Sequence, residues 1–106
     1  MLLMGHSASL HAALKLRHGL QAQGIAADVN GGHGLAVVSV WIDFLVWTDG
    51  EVFWWRTSWN SRHRRYTIAV NEADDLERVV RRIVFRYHEL RRGGARDGPG
   101  APQAGW

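Results

Sequence analysis

Six histidines are the first candidates for chemistry, because imidazole nitrogens bind transition metals. They are His6, His11, His18, His33, His63 and His88. Only His11 and His18 share a face of a predicted helix, and they lie two turns apart, whereas chelation on a helix needs ligands three or four residues apart. The chain has 0 cysteines, which excludes thiolate ligands, disulfides and thiol catalysis. The sequence therefore predicts no metal site.

Two further motifs suggest chemistry less directly. The glycine-rich segment 31–34 leads into a strand, whereas a phosphate cradle leads into the start of a helix, so we interpret this segment as a turn. Asp43 has the chemistry of a general base, but we expect Arg56 to pair with it structurally, and no nucleophile or acid accompanies it. The sequence predicts no catalytic residue, no cofactor and no enzyme activity.

Arginines make a stronger case for binding. Arg62, Arg64 and Arg65 lie in a polar segment, and Arg78 and Arg82 lie on the polar face of the last predicted helix. Phe85 projects among the helix arginines, where folding does not require it. Arginine binds phosphate and packs on aromatic rings, so nucleic acid and protein are both candidate partners. The net charge of +3 is modest, and the arginine excess is equally typical of a GC-rich genome.

Tryptophans form the other candidate binding surface. Five of the 6 lie between residues 41 and 59, around a predicted turn at Asp49-Gly50. A two-residue turn there would pair Trp47 with Val52 and Asp43 with Arg56. The even-numbered side chains of residues 35–47 would then face the core together with Phe53, Trp55 and Trp59. The opposite face would carry Trp41, Trp47 and Trp54 around the Asp43–Arg56 ion pair.

The elements that position these residues follow from hydrophobic periodicity. Residues 35–47 are rich in β-branched and aromatic side chains and predict one long strand. Shorter strands are predicted around Val29, after the turn at Asp49-Gly50, and around Ile68. A first helix should begin at Ser7 or Ser9 and end near Gln23, before Gly24.

The last helix has the clearest pattern. We expect Asn71 to cap its start and Gly93 to end it. One apolar stripe faces the core and comprises Leu76, Val79, Val80, Ile83, Tyr87 and Leu90. The prediction is an α+β fold in the order α-β-β-β-β-α, a four-stranded antiparallel meander with the two terminal helices packed on the sheet.

Size and composition define the broad class. The 106 residues suit one domain, which we place at residues 1–92, followed by a disordered tail rich in Gly, Ala and Pro at residues 93–106. The start has no basic segment, and its apolar run is too short for a signal peptide or a membrane span. The sequence therefore predicts a cytoplasmic protein that does not enter a membrane.

The run from Gly50 to Arg56, together with much arginine, alanine and glycine, resembles short uncharacterised proteins of high-GC actinobacteria. The resemblance covers about residues 8 to 92 and implies no activity for any residue.

From the residues themselves, the leading hypothesis is a non-enzymatic interaction module, an adaptor, regulator or chaperone-like homodimer, using Trp41, Trp47 and Trp54 or the helix face around Phe85. A nucleic-acid binder using Arg62, Arg64, Arg65 and the last helix is the alternative. If a second layer of this same chain covers the tryptophan face, the excess of exposed apolar surface on which the leading hypothesis depends disappears.

Overall fold

The computed structural model describes residues 4–93, with side chains from residue 8 onward, so the predicted tail at residues 94–106 lies outside the described part. Within residues 4–93, two helices flank five strands. In chain order the elements are α1 (Met4–Gln21), β1 (Asp28–Gly32), β2 (Leu35–Trp41), β3 (Phe44–Thr48), β4 (Val52–Asn60), β5 (Arg65–Glu72) and α2 (Leu76–Arg91). The strands form one antiparallel meander in the order β1-β2-β3-β4-β5. The α+β prediction is confirmed, with five strands instead of four.

The fifth strand arises because the predicted long strand is broken in its middle. Trp41 pairs with Phe44, so Ile42 and Asp43 form a two-residue turn that separates β2 from β3. Asp43 has a φ of 56°, in the left-handed region that aspartate tolerates better than most residues. Ile42 is therefore 73% exposed at the tip of a hairpin, and its predicted place in the core is wrong.

The connection between β3 and β4 is longer than predicted. Trp47 pairs with Trp54 and Thr48 with Phe53, which displaces the register by two residues from the predicted one. Because this displacement is even, the paired residues Trp47, Phe53 and Trp54 keep their predicted faces. The buried Thr48 hydroxyl accepts a hydrogen bond from Gly50 N at 2.9 Å. Asp49 Oδ1 accepts bonds from Glu51 N at 2.8 Å and Val52 N at 3.1 Å, which hold the pKa of Asp49 below its usual value.

The two helices differ from prediction mainly at their starts. Helix α1 begins at Met4, before either predicted serine cap, and Ser9 is buried within it. Helix α2 is capped by Asp75, whose carboxylate accepts a bond from Arg78 N at 3.4 Å. The predicted cap Asn71 instead lies in β5, because the strand extends to Glu72 before the chain can turn.

Both helices pack on one face of the sheet. Their buried apolar residues are Ala13, Leu16 and Leu20 of α1 and Val79, Ile83 and Tyr87 of α2, and all six belong to one cluster with the buried sheet residues. Helix α1 lies against β1, β2 and β3, and α2 lies beside α1 and against β5. A Cβ atom built on Gly19 of α1 would lie 2.8 Å from Val80 Cγ2 of α2, so the helices touch closely there. The sheet is therefore covered on one side by both helices.

Candidate interaction surfaces

The sheet face opposite the helices, here called the open face, carries an apolar row across four strands. Register pairs Val37 with Trp47, Trp47 with Trp54, and Trp54 with Val70. Trp47 is 37% exposed and Val70 57% exposed, whereas Val38, Val46 and Phe53 on the covered face are fully buried. The structure thus places Trp47 and Trp54 side by side on the open face, as the alternation predicted.

The open face has an area in the range of functional patches. Its exposed large apolar residues are Leu35, Leu45, Trp47, Ile68 and Val70. A large side chain such as an aromatic one has a surface of about 150–250 Å². If a value near this range is taken for each of these five residues, their exposed fractions correspond to an apolar area on the order of 400 Å². The largest apolar patch of a typical monomer covers roughly 300–600 Å² and is often functional.

Trp41 does not belong to the open face, and its predicted position is wrong. The β2–β3 register shifts between Ser39 and Trp41, which marks a bulge, and directly paired residues share a face, so Trp41 lies on the side of the buried Phe44. The Trp41 ring packs edge-on against Tyr87 of α2, with 5.7 Å between ring centroids, and the Arg91 guanidinium lies 4.9 Å from the Trp41 ring. Trp41 therefore closes one end of the helix layer.

A second bulge reverses the predicted position of Trp59. The β4–β5 register shifts between Arg56 and Ser58, and Trp59 then pairs with Tyr66. Their rings meet edge-on at 5.0 Å between centroids. By alternation along β5, Tyr66 shares the face of Ile68 and Val70, so this aromatic pair extends the open face instead of the core.

Asp43 and Arg56, both in the described part of the chain, do not form the predicted ion pair: no charged atoms of the two side chains lie within 4.0 Å of each other. Asp43 lies in the β2–β3 turn, and the guanidinium of Arg56 stacks over the Tyr66 ring at 4.4 Å from its centroid. Arg56 is exposed, and it lies on the open face because it pairs with Ile68. The open face therefore carries a positive charge held by an aromatic ring, a feature that the sequence analysis missed.

A cleft opens onto this face between β3 and β4. Within the described residues, these strands pair at Trp47↔Trp54 and Thr48↔Phe53 alone, and beyond that point they diverge. The cleft has a volume of about 340 Å³, near the lower end of the range typical of ligand pockets. It is lined by Asp43, Phe44, Leu45, Trp47, Trp54, Trp55, Arg56 and Ile68.

The second candidate surface is the outer side of α2. Phe85 is 64% exposed, as its position opposite the apolar stripe predicted. It borders a shallow groove of about 720 Å³ between α2 and the end of β4, lined also by Trp55, Thr57, Ser58, Arg81, Arg82, Arg86 and Glu89. The predicted combination of an aromatic ring with arginines therefore exists on this helix.

The five arginines predicted to bind anions fall into two groups. Arg78 pairs with Asp75 at 3.7 Å, and Arg82 donates a hydrogen bond to Asn71 and lies 5.5 Å from the Trp55 ring. Contacts within the chain thus already engage both helix arginines. Arg62, Arg64 and Arg65 are exposed at the β4–β5 turn, with no acidic group within 4.0 Å among the described residues.

A metal-binding cluster and a membrane-spanning helix are both missing from the part of the chain that the structure describes. Among the side chains that the structure describes, residues 8–93, no three histidine or acidic groups gather closely enough to hold a metal ion. Neither described helix has the length and apolar character needed to cross a bilayer.

Comparison with known proteins gives no relative: no protein-family model matches the chain, and neither curated proteins nor solved structures include a significant match.

Proposed function

We propose that this protein is a non-enzymatic, cytoplasmic interaction module that binds a protein partner through the open face. The observation that supports it best is the row from Val37 through Trp47 and Trp54 to Val70, left uncovered because both helices pack on the other side. A sheet needs only one apolar face to form its core, and exposed tryptophans are typical of interface hot spots.

The positive charge of Arg56 indicates which chemical groups a partner surface should carry. Arg56 lies beside the apolar row, and its stacking on Tyr66 holds the guanidinium in place at little further entropic cost. A partner surface that complements the open face is an apolar strip with a carboxylate next to it. The arginine then binds that carboxylate while Trp47 and Trp54 bury the apolar side chains.

A peptide-display selection tests this proposal, because it presents many peptide sequences at once and requires no identified partner. The full chain is used as bait, and each enriched peptide is measured against wild type and against the variant Trp47→Glu/Trp54→Glu. We expect enriched peptides to carry large apolar residues beside Asp or Glu and to bind the double variant at least about tenfold more weakly, since loss of a hot-spot residue costs about 2 kcal/mol or more. Arg56→Gln should weaken the binding of the same peptides by a smaller factor.

The control is Phe85→Glu, which places one such negative charge on an exposed aromatic position of the opposite side. Peptides that lose affinity on Phe85→Glu but not on Trp47→Glu/Trp54→Glu would assign binding to the groove beside α2 and contradict the proposal. Absence of any enriched peptide that distinguishes wild type from the double variant would also contradict it. Circular dichroism of each variant checks that the fold is retained.

Nucleic-acid binding stays the second candidate, favoured by one observation. Arg62, Arg64 and Arg65 lie together at an exposed turn without acidic partners in the described structure. If they bind phosphates, retention on single-stranded DNA or RNA falls steeply with salt, and Arg62→Gln/Arg64→Gln/Arg65→Gln lowers the salt slope by about 2–3. The control is Arg78→Gln, whose charge is already offset by Asp75. Equal retention of wild type and triple variant at low salt would exclude this function.

A further inference from the structure

The two edges of the sheet are protected to very different degrees. β1 is a short edge strand of 5 residues that begins with Asp28 and ends in two glycines. β5, at the other edge, has 8 residues and contains neither proline nor lysine. Natural proteins normally protect a sheet edge with short strands, prolines, bulges or charges, because a long bare edge pairs with other strands.

The outward backbone groups of β5 can be identified from one bond outside the ladder. Ala73 N donates to Glu51 O at 2.8 Å, so Ala73 directs its backbone toward β4. Backbone direction alternates along an antiparallel strand, and Thr67 O accepts a bond from the Thr57 hydroxyl at 3.2 Å, in agreement with that alternation. The N–H and C=O groups of Tyr66, Ile68 and Val70 therefore face away from the sheet.

The side chains at the same positions are those that a strand edge would need for pairing. Ile68 is 53% exposed and Val70 57% exposed, and both are β-branched. They lie on the open face, so a strand added at this edge would contact them from the side. This edge thus combines free backbone groups with uncovered apolar side chains.

We propose that β5 is a self-association edge, at which a second copy of this chain pairs antiparallel with β5 around a two-fold axis at Ile68. Paired residues must share a face, so the register at that axis places Ile68 opposite Ile68 of the second copy and Tyr66 opposite Val70 of the second copy. These three pairs, counting both symmetric ones, form about six backbone hydrogen bonds.

Charge complementarity supports a second copy over an unrelated strand. Arg65 is the first residue of β5, Arg64 directly precedes it in the β4–β5 turn, and Glu72 is the last residue of the strand. An antiparallel partner with the same sequence brings its acidic end to the basic end of the first strand, and the chosen register places Glu72 of one copy beside Arg64 of the other. The symmetry repeats this pair, so the dimer contains it twice.

Self-association at this edge goes beyond the proposed function and does not depend on it. The two-fold axis is perpendicular to the sheet, so the dimer is one continuous sheet of ten strands with both open faces on the same side. Partner binding depends mainly on Trp47 and Trp54, and dimerisation depends on the backbone edge of β5, so each can fail without the other although the two surfaces meet at Ile68 and Val70.

Sedimentation equilibrium of the full chain tests the proposal through charge reversal. We expect wild type to be a dimer, and Arg64→Glu or Glu72→Arg alone to raise the dissociation constant at least about fourfold, because each puts two repulsive pairs in place of two attractive ones. Arg64→Glu/Glu72→Arg should restore the wild-type constant. That restoration also shows that loss of dimer in the single variants is not loss of folding.

A cysteine cross-link tests the register independently, since the chain has 0 native cysteines. Ile68→Cys should form an intermolecular disulfide under mild oxidation, because Cα atoms of a hydrogen-bonded pair are about 5.5 Å apart, within disulfide range. Ile42→Cys is the control: Ile42 is 73% exposed against 53% for Ile68 but lies at a hairpin tip, so its cysteine should stay reduced.

Two results would overturn the proposal. One is a wild-type chain that sediments as a monomer at the highest concentration that stays in solution. The other is a dimer that is abolished by Trp47→Glu/Trp54→Glu but not changed by either charge reversal, which would place the contact on the open face. The first result leaves the peptide-binding test of the proposed function unaffected, because sedimentation uses the purified chain alone. The second result would make a second copy of the chain the occupant of the open face, and enriched peptides would then compete with dimerisation.

Discussion

Gly19 and Val80 provide a direct energetic test of the two-helix layer. Alanine at position 19 should favour an isolated helix by about 1 kcal/mol, because glycine is the poorer helix former. In the folded chain the added Cβ would lie 2.8 Å from Val80 Cγ2, too close for real Cβ contacts. Valine in a helix has essentially one rotamer, so it cannot swing aside, and overpacking of this kind costs about 1–3 kcal/mol. We expect Gly19→Ala to change the free energy of unfolding by between about zero and 2 kcal/mol in the destabilising direction.

Val80→Ala removes the obstructing methyl groups and reverses the sign. In that background Gly19→Ala should stabilise by about 1 kcal/mol, because helix propensity remains and the new methyl fills part of the space that Val80 leaves. The coupling free energy of the double-mutant cycle is then about 1–3 kcal/mol. Urea unfolding followed by tryptophan fluorescence measures all four proteins.

Independent effects of the two substitutions would refute the reasoning. If Gly19→Ala stabilises wild type and Val80→Ala alike by about 1 kcal/mol, the helices do not touch at this point. The close packing of α1 against α2 at Gly19 and Val80 would then be wrong.

Three further predictions concern other parts of the fold. Gly50→Ala should destabilise by about 1–3 kcal/mol in urea unfolding, because φ is +101° there and the new Cβ would lie 2.9 Å from Ala8 Cβ of α1. Ile83→Ala should cost about 2–5 kcal/mol, whereas Ile42→Ala should stay within about 0.5 kcal/mol, and similar losses would contradict the assignment of Ile83 to the core and Ile42 to the hairpin tip. Asp49 contributes stability that is present above its ordinary pKa and lost as pH falls through its lower folded-state pKa, because the bonds from Glu51 N and Val52 N favour the charged carboxylate. Asp49→Asn should therefore reduce the change of the urea midpoint with pH in the acidic range. If this pH dependence is unchanged, the two bonds to Asp49 do not contribute to the stability of the fold.

Alternation of apolar residues made much of the fold predictable. The stripe on α2 and the buried even-numbered positions of β2 and β3 follow from periods of 3.6 and 2. The predicted register between β3 and β4 was wrong by two residues, but Trp47 and Trp54 were still assigned to the correct sheet face. A displacement of two residues returns every side chain to the same side of the sheet.

The turn at Ile42-Asp43 was missed because it lacks the usual signal. A two-residue hairpin turn normally contains Asn-Gly, Asp-Gly or another glycine pair, and here a β-branched residue precedes an aspartate. Hydrophobic content alone made residues 35–47 resemble one long strand. The distinction depends on packing of the whole sheet, which local propensity does not encode.

The errors for Trp41 and Trp59 have one common cause. Each residue lies just beyond a bulge, where an extra residue moves the following side chains to the other face. No residue type specifies a bulge in the way that glycine or proline marks a turn. Compared with the prediction, the candidate site therefore contains Trp59 and Tyr66 in addition and lacks Trp41, whereas Arg56 lies on the predicted face but stacks on Tyr66 instead of pairing with Asp43.

Hydroxyl-radical footprinting, read residue by residue by mass spectrometry, tests most directly whether one sheet face is covered and the other is open. Trp55 is 3% exposed under α2, and Trp47 is 37% exposed on the open face. The account predicts that Trp47 is oxidised many times faster than Trp55 in the native chain and that the two rates converge in urea. Equal protection of Trp47 and Trp55 in the native chain would contradict it.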